Sequence, residues 1–156
     1  MLKLFIILIN TNSILKKHLM NISADFGITV TDTLRRTNDQ LIHRMDLSSD
    51  TLNHNRVREI FPDVDFKSNT GFLAVTGGRH LELGDNIDNT PIIHVNEIEA
   101  IGEGSMNLAK LNIDQSTIIV SAGSGTACIH AQKGVYTHCS GTGVGGGTVL
   151  GLSNYS

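Results

Sequence analysis

The chain has 156 residues, 40% of them hydrophobic and 17% charged, which is enough to bury the core of one ordinary domain. Twelve Lys and Arg residues against fifteen Asp and Glu give a net charge of -3, and no basic run exceeds two residues, so the electrostatic footprint of a nucleic-acid-binding protein is absent. The two cysteines, Cys128 and Cys139, in a chain without a convincing secretory signal predict reduced thiols and a cytoplasmic location.

The N-terminal segment begins with an apolar run from Met1 to Ile9. This run is shorter than the roughly 20 residues that a membrane-spanning helix needs. No small-residue cleavage site of a signal peptide follows it. We therefore expect no membrane partner and interpret residues 1–19 as an extension outside the fold or as an extra strand.

Three β-strands are predicted next. Ile22 to Asp25 and the β-branched run Thr29 to Leu34 flank a turn at Phe26-Gly27, which is typical of a hairpin, and Gln40 to Met45 continues the sheet. Ser49 or Asp50 then caps a predicted helix that runs to about Phe61, where Pro62 stops it.

Buried strands and a second helix follow in alternation. Gly71 to Val75 is an apolar run that enters a tight Thr76-Gly77-Gly78 loop, and loop residues continue to Asn89. Pro91 to Val95 is another predicted strand, and Glu97 to Leu111 carries an apolar stripe at helical spacing, although Gly102 and Gly104 weaken it.

The last part of the chain predicts three strands, two glycine-rich loops and the start of a helix. Strands interleaved with helices and hairpins indicate an α/β fold with a mixed sheet. The segments in chain order are strand Thr117 to Ser121, loop Gly123 to Thr126, hairpin strands Ala127 to Ala131 and Val135 to Cys139, loop Gly141 to Gly147, and a helix from Thr148.

Two segments have the composition of phosphate-binding loops. Asp25-Phe-Gly27-Ile-Thr29 places a carboxylate that can hold a hydrated metal ion beside amides and a hydroxyl, although an ordinary hairpin turn has the same pattern. The stretch from Gly141 to Thr148 has four glycines within five positions ahead of a helix, which lets the backbone approach an anion. No βαβ unit surrounds it and no G-x-x-x-x-G-K-[ST] occurs, which argues against a dinucleotide fold and a P-loop.

Glu97 stands between a buried strand and a helix, where a carboxylate can act as general base on a substrate hydroxyl. Glu99 and Glu103 compete for that role, and all three also fit as ordinary acids in the first turns of a helix. The pairs Cys128-x-His130 and His138-Cys139 offer soft metal ligands, but their spacing matches no zinc knuckle. The other histidines are predicted to be unclustered.

Five segments taken in order resemble type II pantothenate kinases of the actin-like ATPase superfamily. The resemblance covers about Met20 to Leu152 and the first half, or slightly more, of a typical member. It implies a ribonuclease H-like mixed sheet with flanking helices whose second half is missing, with residues 20–156 forming the nucleotide-binding domain and the start of the next. The segments are Asp25-Phe-Gly-Ile-Thr29, Val75-Thr-Gly-Gly78, Glu97-Ile-Glu-Ala100, Ser121-Ala-Gly-Ser-Gly-Thr126 and Ser140-Gly-Thr-Gly-Val-Gly-Gly-Gly-Thr-Val-Leu-Gly151.

The resemblance also implies a reaction: ATP with Mg²⁺ phosphorylates pantothenate toward coenzyme A, and the full-length family forms homodimers. It makes Glu97 the general base and Asp25 the metal ligand. The family usually has a second glycine at Ile28, and many members have an arginine near His138. The implied nucleotide-contacting positions are Asp25, Gly27, Ile28, Thr29, Ser124, Gly125, Gly145, Gly146, Gly147 and Thr148, and the implied substrate-contacting positions are His138 and Thr142.

Other interpretations stay open. The opening from Gly27 to Asp32 is also similar to that of hydantoinase-like ATPases, so another kinase or ATPase of the superfamily fits. From a different class, the chain fits a non-catalytic remnant that lacks the closing domain.

Overall fold

The computed structural model describes residues 20–37, 40–48 and 51–153. Three predicted features lie outside these ranges: the extension at residues 1–19 and the two candidate helix caps, Ser49 and Asp50. No helix within the described ranges combines the length and the apolar character needed to cross a bilayer.

The first half of the chain forms a six-stranded mixed sheet with the strand order β3-β2-β1-β4-β6-β5. Strands β1, β4 and β6 run parallel to one another, whereas β2, β3 and β5 are antiparallel to their neighbours. The carboxyl ends of the three parallel strands therefore meet at one edge. The strands are β1 Met20–Phe26, β2 Val30–Thr37, β3 Gln40–Leu47, β4 Thr70–Thr76, β5 Asn86–Ile87 and β6 Thr90–His94.

Alternation along the strands places one face of this sheet in the main core. Ile22, Ala24 and Phe26 of β1 point to that face, where they pack with Leu73 and Val75 of β4. Other members of the same cluster come from the first helix and the loop after it, and they close the core over the sheet: Val57, Ile60, Phe61 and Phe66.

The first helix, α1, spans His54–Ile60 and begins later than predicted. Asn53 is its N-cap, and its side-chain oxygen accepts a hydrogen bond from the Arg56 amide at 3.0 Å. The predicted start near Ser49 or Asp50 is therefore wrong. Asn53 has the same capping chemistry as those residues, and its position brings Val57 and Ile60 onto the core.

The segment predicted as a loop up to Asn89 contains regular structure. A 3-10 helix occupies His80–Glu82, and β5 adds a two-residue antiparallel pairing to β6. Elements this short carry no periodic signal. Their geometry follows from contacts with β6, which sequence pattern does not reveal.

The second helix, α2, spans Glu97–Leu108 and ends three residues before the predicted Leu111. The Leu111 amide donates to the Met106 carbonyl at 2.9 Å and the Lys110 amide donates to the Asn107 carbonyl at 3.1 Å, which is a Schellman cap. Lys110 takes the left-handed conformation, φ 53°, that this cap requires. Leu111 belongs to the cap and lies outside the helical stripe.

A three-stranded antiparallel sheet, β7-β8-β9, and a third helix complete the described chain. Strand β9 extends through Gly141 and Thr142, and the third helix begins at Gly146, so the predicted glycine loop from Gly141 to Gly147 shrinks to residues 143–145. The elements are β7 Thr117–Ala122, β8 Thr126–Gln132, β9 Val135–Thr142 and α3 Gly146–Ser153.

Helix α2 packs on this second sheet through a small cluster of its own: Ile101, Met106, Ile119, Ile129 and Ala131. Gly102 is placed against the Tyr136 ring, and a Cβ added at Gly102 would lie 2.2 Å from the nearest ring carbon. The Tyr136 hydroxyl donates to the Glu103 carboxylate. Burial and that carboxylate raise the pKa of Tyr136, so the phenol stays protonated as a donor.

Replacing Gly102 with alanine should destabilise the protein despite alanine's better helix propensity. Overpacking against a ring costs about 1–3 kcal/mol, whereas propensity returns about 1 kcal/mol, so we expect a net loss of up to about 2 kcal/mol. Chemical denaturation measures this. Gly151→Ala in α3 is the control, because a Cβ there meets nothing within 4 Å. A loss of stability in the control as large as in Gly102→Ala would contradict the clash.

Candidate functional site

Three predicted site segments follow neighbouring parallel strands at the carboxyl edge of the first sheet. Asp25 of β1 is level with Thr76 of β4, and Val75 is level with His94 of β6. Because strands lie about 4.8 Å apart, β1 and β6 are separated by roughly 10 Å. Ligands of open α/β sheets bind in the crevice outside this edge. The edge therefore holds the candidate site.

Gly77, directly after β4, makes the close packing around Asp25 possible. Its φ is +92°, and a Cβ there would lie 2.3 Å from Asp25 Oδ1 and 2.6 Å from the Phe26 carbonyl oxygen. The Arg79 amide also donates to the Phe26 carbonyl at 3.3 Å. The loop after β4 thus fixes the end of β1, where Asp25 lies. Sequence analysis noted this glycine pair as a tight loop but gave Gly77 no role in the site.

Ser48, just after β3, holds both sides of the turn between β1 and β2. Its hydroxyl donates to the Gly27 carbonyl at 2.7 Å, and its amide donates to the Thr29 carbonyl at 3.1 Å. Gly27 itself is required by space, since a Cβ there would lie 2.6 Å from the Val30 carbonyl oxygen. Ser48 was not predicted from the sequence, because only the register of β2 with β3 brings it to the turn.

The turn has donors to offer to a ligand. Within the described part of the chain, the amides of Ile28 and Thr29 have no hydrogen-bond acceptor. The Ile28 side chain is 71% exposed and extends away from the packed core. Two amides and one hydroxyl at a turn make a small anion-binding concavity.

A side-chain hydrogen bond joins this turn to the second sheet. Thr29 Oγ1 lies 3.0 Å from Ser124 Oγ, in the turn between β7 and β8. The two residues are 95 positions apart in sequence. Two of the predicted nucleotide-contacting segments are therefore in direct contact.

The glycine run ahead of α3 packs on the other side of Ser124. The Gly147 amide donates to the Ser124 carbonyl at 3.2 Å, and the Gly146 amide donates to the Gly123 carbonyl at 2.8 Å. A Cβ at Gly145 would lie 2.7 Å from the Ser124 carbonyl oxygen. The run thus allows two turns to pack closely, and its first amides are used within the protein.

Two further predicted residues support this packing. A Cβ at Gly125 would lie 2.8 Å from the Thr142 carbonyl oxygen, so Gly125 lets the β7–β8 turn approach β9. The Thr148 hydroxyl accepts a hydrogen bond from the Gly145 amide at 3.3 Å and donates to the Gly143 carbonyl at 3.4 Å. Both residues shape the loop that contacts Ser124.

The positions of Glu97, Glu99 and Glu103 in the structure distinguish the first from the other two as a candidate general base. Glu97 is the first residue of α2, half-buried, and three residues beyond the end of β6. Glu99 is exposed, and Glu103 accepts hydrogen bonds from Tyr136 and Asn107. Asn96 caps the helix through the amides of residues 98 and 99, at 2.9 and 3.3 Å. Of the three acids, Glu97 is the one at the sheet edge.

The two predicted substrate residues lie on β9. The Thr142 hydroxyl accepts a hydrogen bond from the Val144 amide at 3.2 Å, within the loop that packs on Ser124. His138 is exposed, four residues earlier in the strand, and makes no hydrogen bond or ion pair with Asp25, Thr29 or Glu97. Thr142 is therefore bonded within the loop that contacts Ser124, whereas His138 has no direct bond to the Asp25 corner or to Glu97.

One carboxylate at the edge, that of Asp25, was assigned to a magnesium ion. Among residues 20–37, 40–48 and 51–153, no group of three or more His, Cys, Asp or Glu side chains could hold a metal. Mg²⁺ is commonly held by one or two carboxylates together with phosphate oxygens and water, so Asp25 alone meets the requirement for protein ligands.

The histidines give one correction. Those outside the two Cys-His pairs were predicted to be unclustered, but the rings of His80 and His94 lie 5.4 Å apart, centre to centre. The predicted zinc candidates are elsewhere: Cys139 is exposed, Cys128 is half-buried, and His130 shares a 2.7 Å hydrogen bond with Ser116.

Curated relatives carry the family name that the sequence suggested. A type II pantothenate kinase from Bacillus cereus is 36% identical over 93 residues, which cover 56% of this chain and 33% of the relative. A type II pantothenate kinase from Bacillus anthracis is 32% identical over 93 residues, which again cover 56% of this chain and 33% of the relative. The resemblance is confirmed, and the match spans about a third of each relative's length. No family model matches the chain.

A solved structure shows the fold. The ethanolamine utilization protein EutJ from Carboxydothermus hydrogenoformans superposes with a TM-score of 0.52 at 15% identity, covering 87% of this chain and 57% of that chain. The predicted mixed α/β fold of the ribonuclease H-like, actin-like ATPase type is confirmed.

Proposed function

We propose that the chain binds the phosphates of ATP at the Asp25 corner and serves phosphoryl transfer to pantothenate. The observation that supports this most is the 3.0 Å hydrogen bond between Thr29 and Ser124, because it joins two segments that the family resemblance makes nucleotide-contacting, at the carboxyl edge of the sheet. Relatives named type II pantothenate kinase supply the reaction and the acceptor.

The phosphates would be bound mainly by the turn between β1 and β2. The donors available at this corner are the amides of Ile28 and Thr29 and one hydroxyl, since Thr29 and Ser124 use the other in the hydrogen bond between them. The glycine run supports the site indirectly, since the amides of Gly146 and Gly147 are already bound to the β7–β8 turn. Its part is to hold Ser124 in place.

Asp25 would hold the magnesium ion, which supplies charge neutralisation on the phosphate oxygens when it is bound. Glu97 would then take the proton of the pantothenate hydroxyl as that oxygen attacks the terminal phosphorus and ADP leaves. Phosphoryl transfer needs little else from a protein than positioned donors and a base, which is what the edge offers.

The two sheets would belong to the two different domains of the family. We propose that the first sheet is the N-terminal nucleotide-binding domain and that β7 to α3 begin the second. In this proposal the enzyme is cytoplasmic and takes a small-molecule acceptor. Another acceptor of the same chemical class, such as a sugar hydroxyl, is the second candidate.

Calorimetric titration of the chain with ATP and Mg²⁺ tests nucleotide binding. Asp25→Asn should weaken binding at least about tenfold, because a charge-assisted contact contributes about 1.5–3 kcal/mol. Asp63→Asn is the matched control, since Asp63 is exposed in the loop after α1. Incubation with pantothenate or with sugars then identifies the acceptor by mass spectrometry. No heat of binding and no phosphorylated product would refute the proposal.

A further inference from the structure

Two histidines that the proposed reaction does not use lie close together, one in the loop after β4 and one at the end of β6. His80 begins the 3-10 helix and His94 ends β6, and their ring centres are 5.4 Å apart with the planes inclined by 42°. They are 14 residues apart in sequence, and the pairing of β4 with β6 brings them together.

Backbone carbonyls fix which nitrogen of each ring carries the proton. His80 Nδ1 lies 2.5 Å from the Gly77 carbonyl oxygen, and His94 Nε2 lies 3.3 Å from the Gly84 carbonyl oxygen. A carbonyl can only accept, so both of these nitrogens are donors. The remaining nitrogens, Nε2 of His80 and Nδ1 of His94, therefore keep their lone pairs in the neutral rings.

The second nitrogen of His94 is an unusual group. Nδ1 is buried and has no hydrogen-bond partner in the described part of the chain. A buried polar atom without a partner costs about 1–3 kcal/mol, so such atoms point to a missing ligand or water. Two histidines that each donate to a backbone carbonyl are also the usual arrangement behind metal-bound imidazoles.

We propose that His80 and His94 together bind a divalent transition-metal ion such as Zn²⁺. With Zn–N bonds of about 2.0–2.1 Å, each ring centre lies roughly 3.2 Å from the ion, and tetrahedral geometry separates the two centres by roughly 5 Å. The observed separation of 5.4 Å matches this. The described residues add no third side chain of the usual ligand types, so water completes the coordination.

The ion would fasten the loop of residues 77–84 to β6. His80 is bonded to the start of that loop and His94 to its end, and Gly77 packs directly on Asp25. Metal binding would therefore stabilise the loop that holds the end of β1. This inference does not depend on the proposed kinase activity.

The test is titration of the full chain with Zn²⁺, followed through the ¹⁵N signals of the histidine side chains. The signals of His80 Nε2 and His94 Nδ1 should shift with one equivalent of metal. His80→Gln and His94→Gln should each weaken Zn²⁺ affinity at least about tenfold, the loss seen even when an outer partner of a metal ligand is removed. His54→Gln, on α1, is the control and should leave the affinity unchanged.

Unchanged signals at His80 and His94 in the wild-type chain would overturn the proposal, whatever the variants do. So would Zn²⁺ affinity that survives both glutamine substitutions and is lost instead in Cys139→Ser. Far-UV circular dichroism of each metal-free variant checks that the fold persists. His80→Asn serves as the second variant at this position, because the asparagine amide nitrogen takes the place of Nδ1 and can still donate to the Gly77 carbonyl.

Discussion

Replacing Gly77 with alanine should lower the free energy of unfolding by about 2–5 kcal/mol, since a left-handed alanine costs about 1–2 kcal/mol and overpacking adds about 1–3 kcal/mol. Both terms apply at this position, because φ is +92° and the new Cβ would lie 2.3 Å from Asp25 Oδ1. Urea denaturation followed by circular dichroism measures the change.

The surroundings leave little room for relaxation at Gly77. A Cβ there would also lie 2.6 Å from the carbonyl oxygen and 2.7 Å from the carbonyl carbon of Phe26. Phe26 belongs to β1, which is paired on both sides, with β2 and with β4. The Asp25 side chain is then the group that has to move. Because Asp25 belongs to the proposed site, the same substitution should also weaken binding of ATP and Mg²⁺.

Gly78→Ala is the matched control. Gly78 is the next residue, and a Cβ there would meet only Ile28 Cγ1, at 3.8 Å, which is an ordinary contact. We expect its stability to stay within about 0.5 kcal/mol of the wild type, as for most surface substitutions. Equal losses in the two variants would mean that the loop tolerates no side chain for some other reason, and would contradict the role given to Gly77.

Local pattern predicted most of the strands. Alternating or continuous apolar runs bounded by glycine or polar turns give β1, β4, β6 and β7 within a few residues, because strand formation there follows from burial of those same side chains. The boundaries that failed depend on single contacts. α1 begins at Asn53 because that side chain reaches the Arg56 amide, and α2 ends at Leu108 because Lys110 takes a positive φ.

The site was less predictable, since its residues meet only after the strands pair. The glycine run was expected to lie open to a phosphate, whereas Gly145 lets one turn pack on another and the amides beyond it bind that turn. A glycine-rich composition indicates that the backbone approaches another group closely. It does not indicate whether that group is a ligand or another part of the chain. Ser48 and the pair of His80 and His94 lay beyond prediction for the same reason, because register decides their neighbours.

Glu97→Gln should reduce phosphorylation of pantothenate by about 10²–10⁴-fold, the usual contribution of a general base, while the affinity for ATP stays unchanged. Glutamine has nearly the same shape as glutamate but cannot take the hydroxyl proton. Glu97 begins α2 just after β6, two strands away from Asp25 along the same sheet edge, so in the proposed site it would act on the acceptor. Initial rates with saturating ATP, together with calorimetric affinity for ATP, separate the loss of chemistry from the loss of binding.

Glu99→Gln distinguishes a base from an acid that only favours the helix dipole. Both residues are in the first turn of α2, so both substitutions remove the same interaction with the helix N-terminus, about 0.3–1 kcal/mol. The Glu99 side chain is exposed, however, and its backbone amide donates to the side chain of the N-cap residue Asn96. Its substitution should lower stability as much as Glu97→Gln and leave the rate within about twofold, because in the proposed mechanism Glu97 alone takes the proton of the acceptor. Equal rates for the two variants would remove Glu97 from the mechanism and leave the Asp25 corner as a phosphate-binding site without an assigned base.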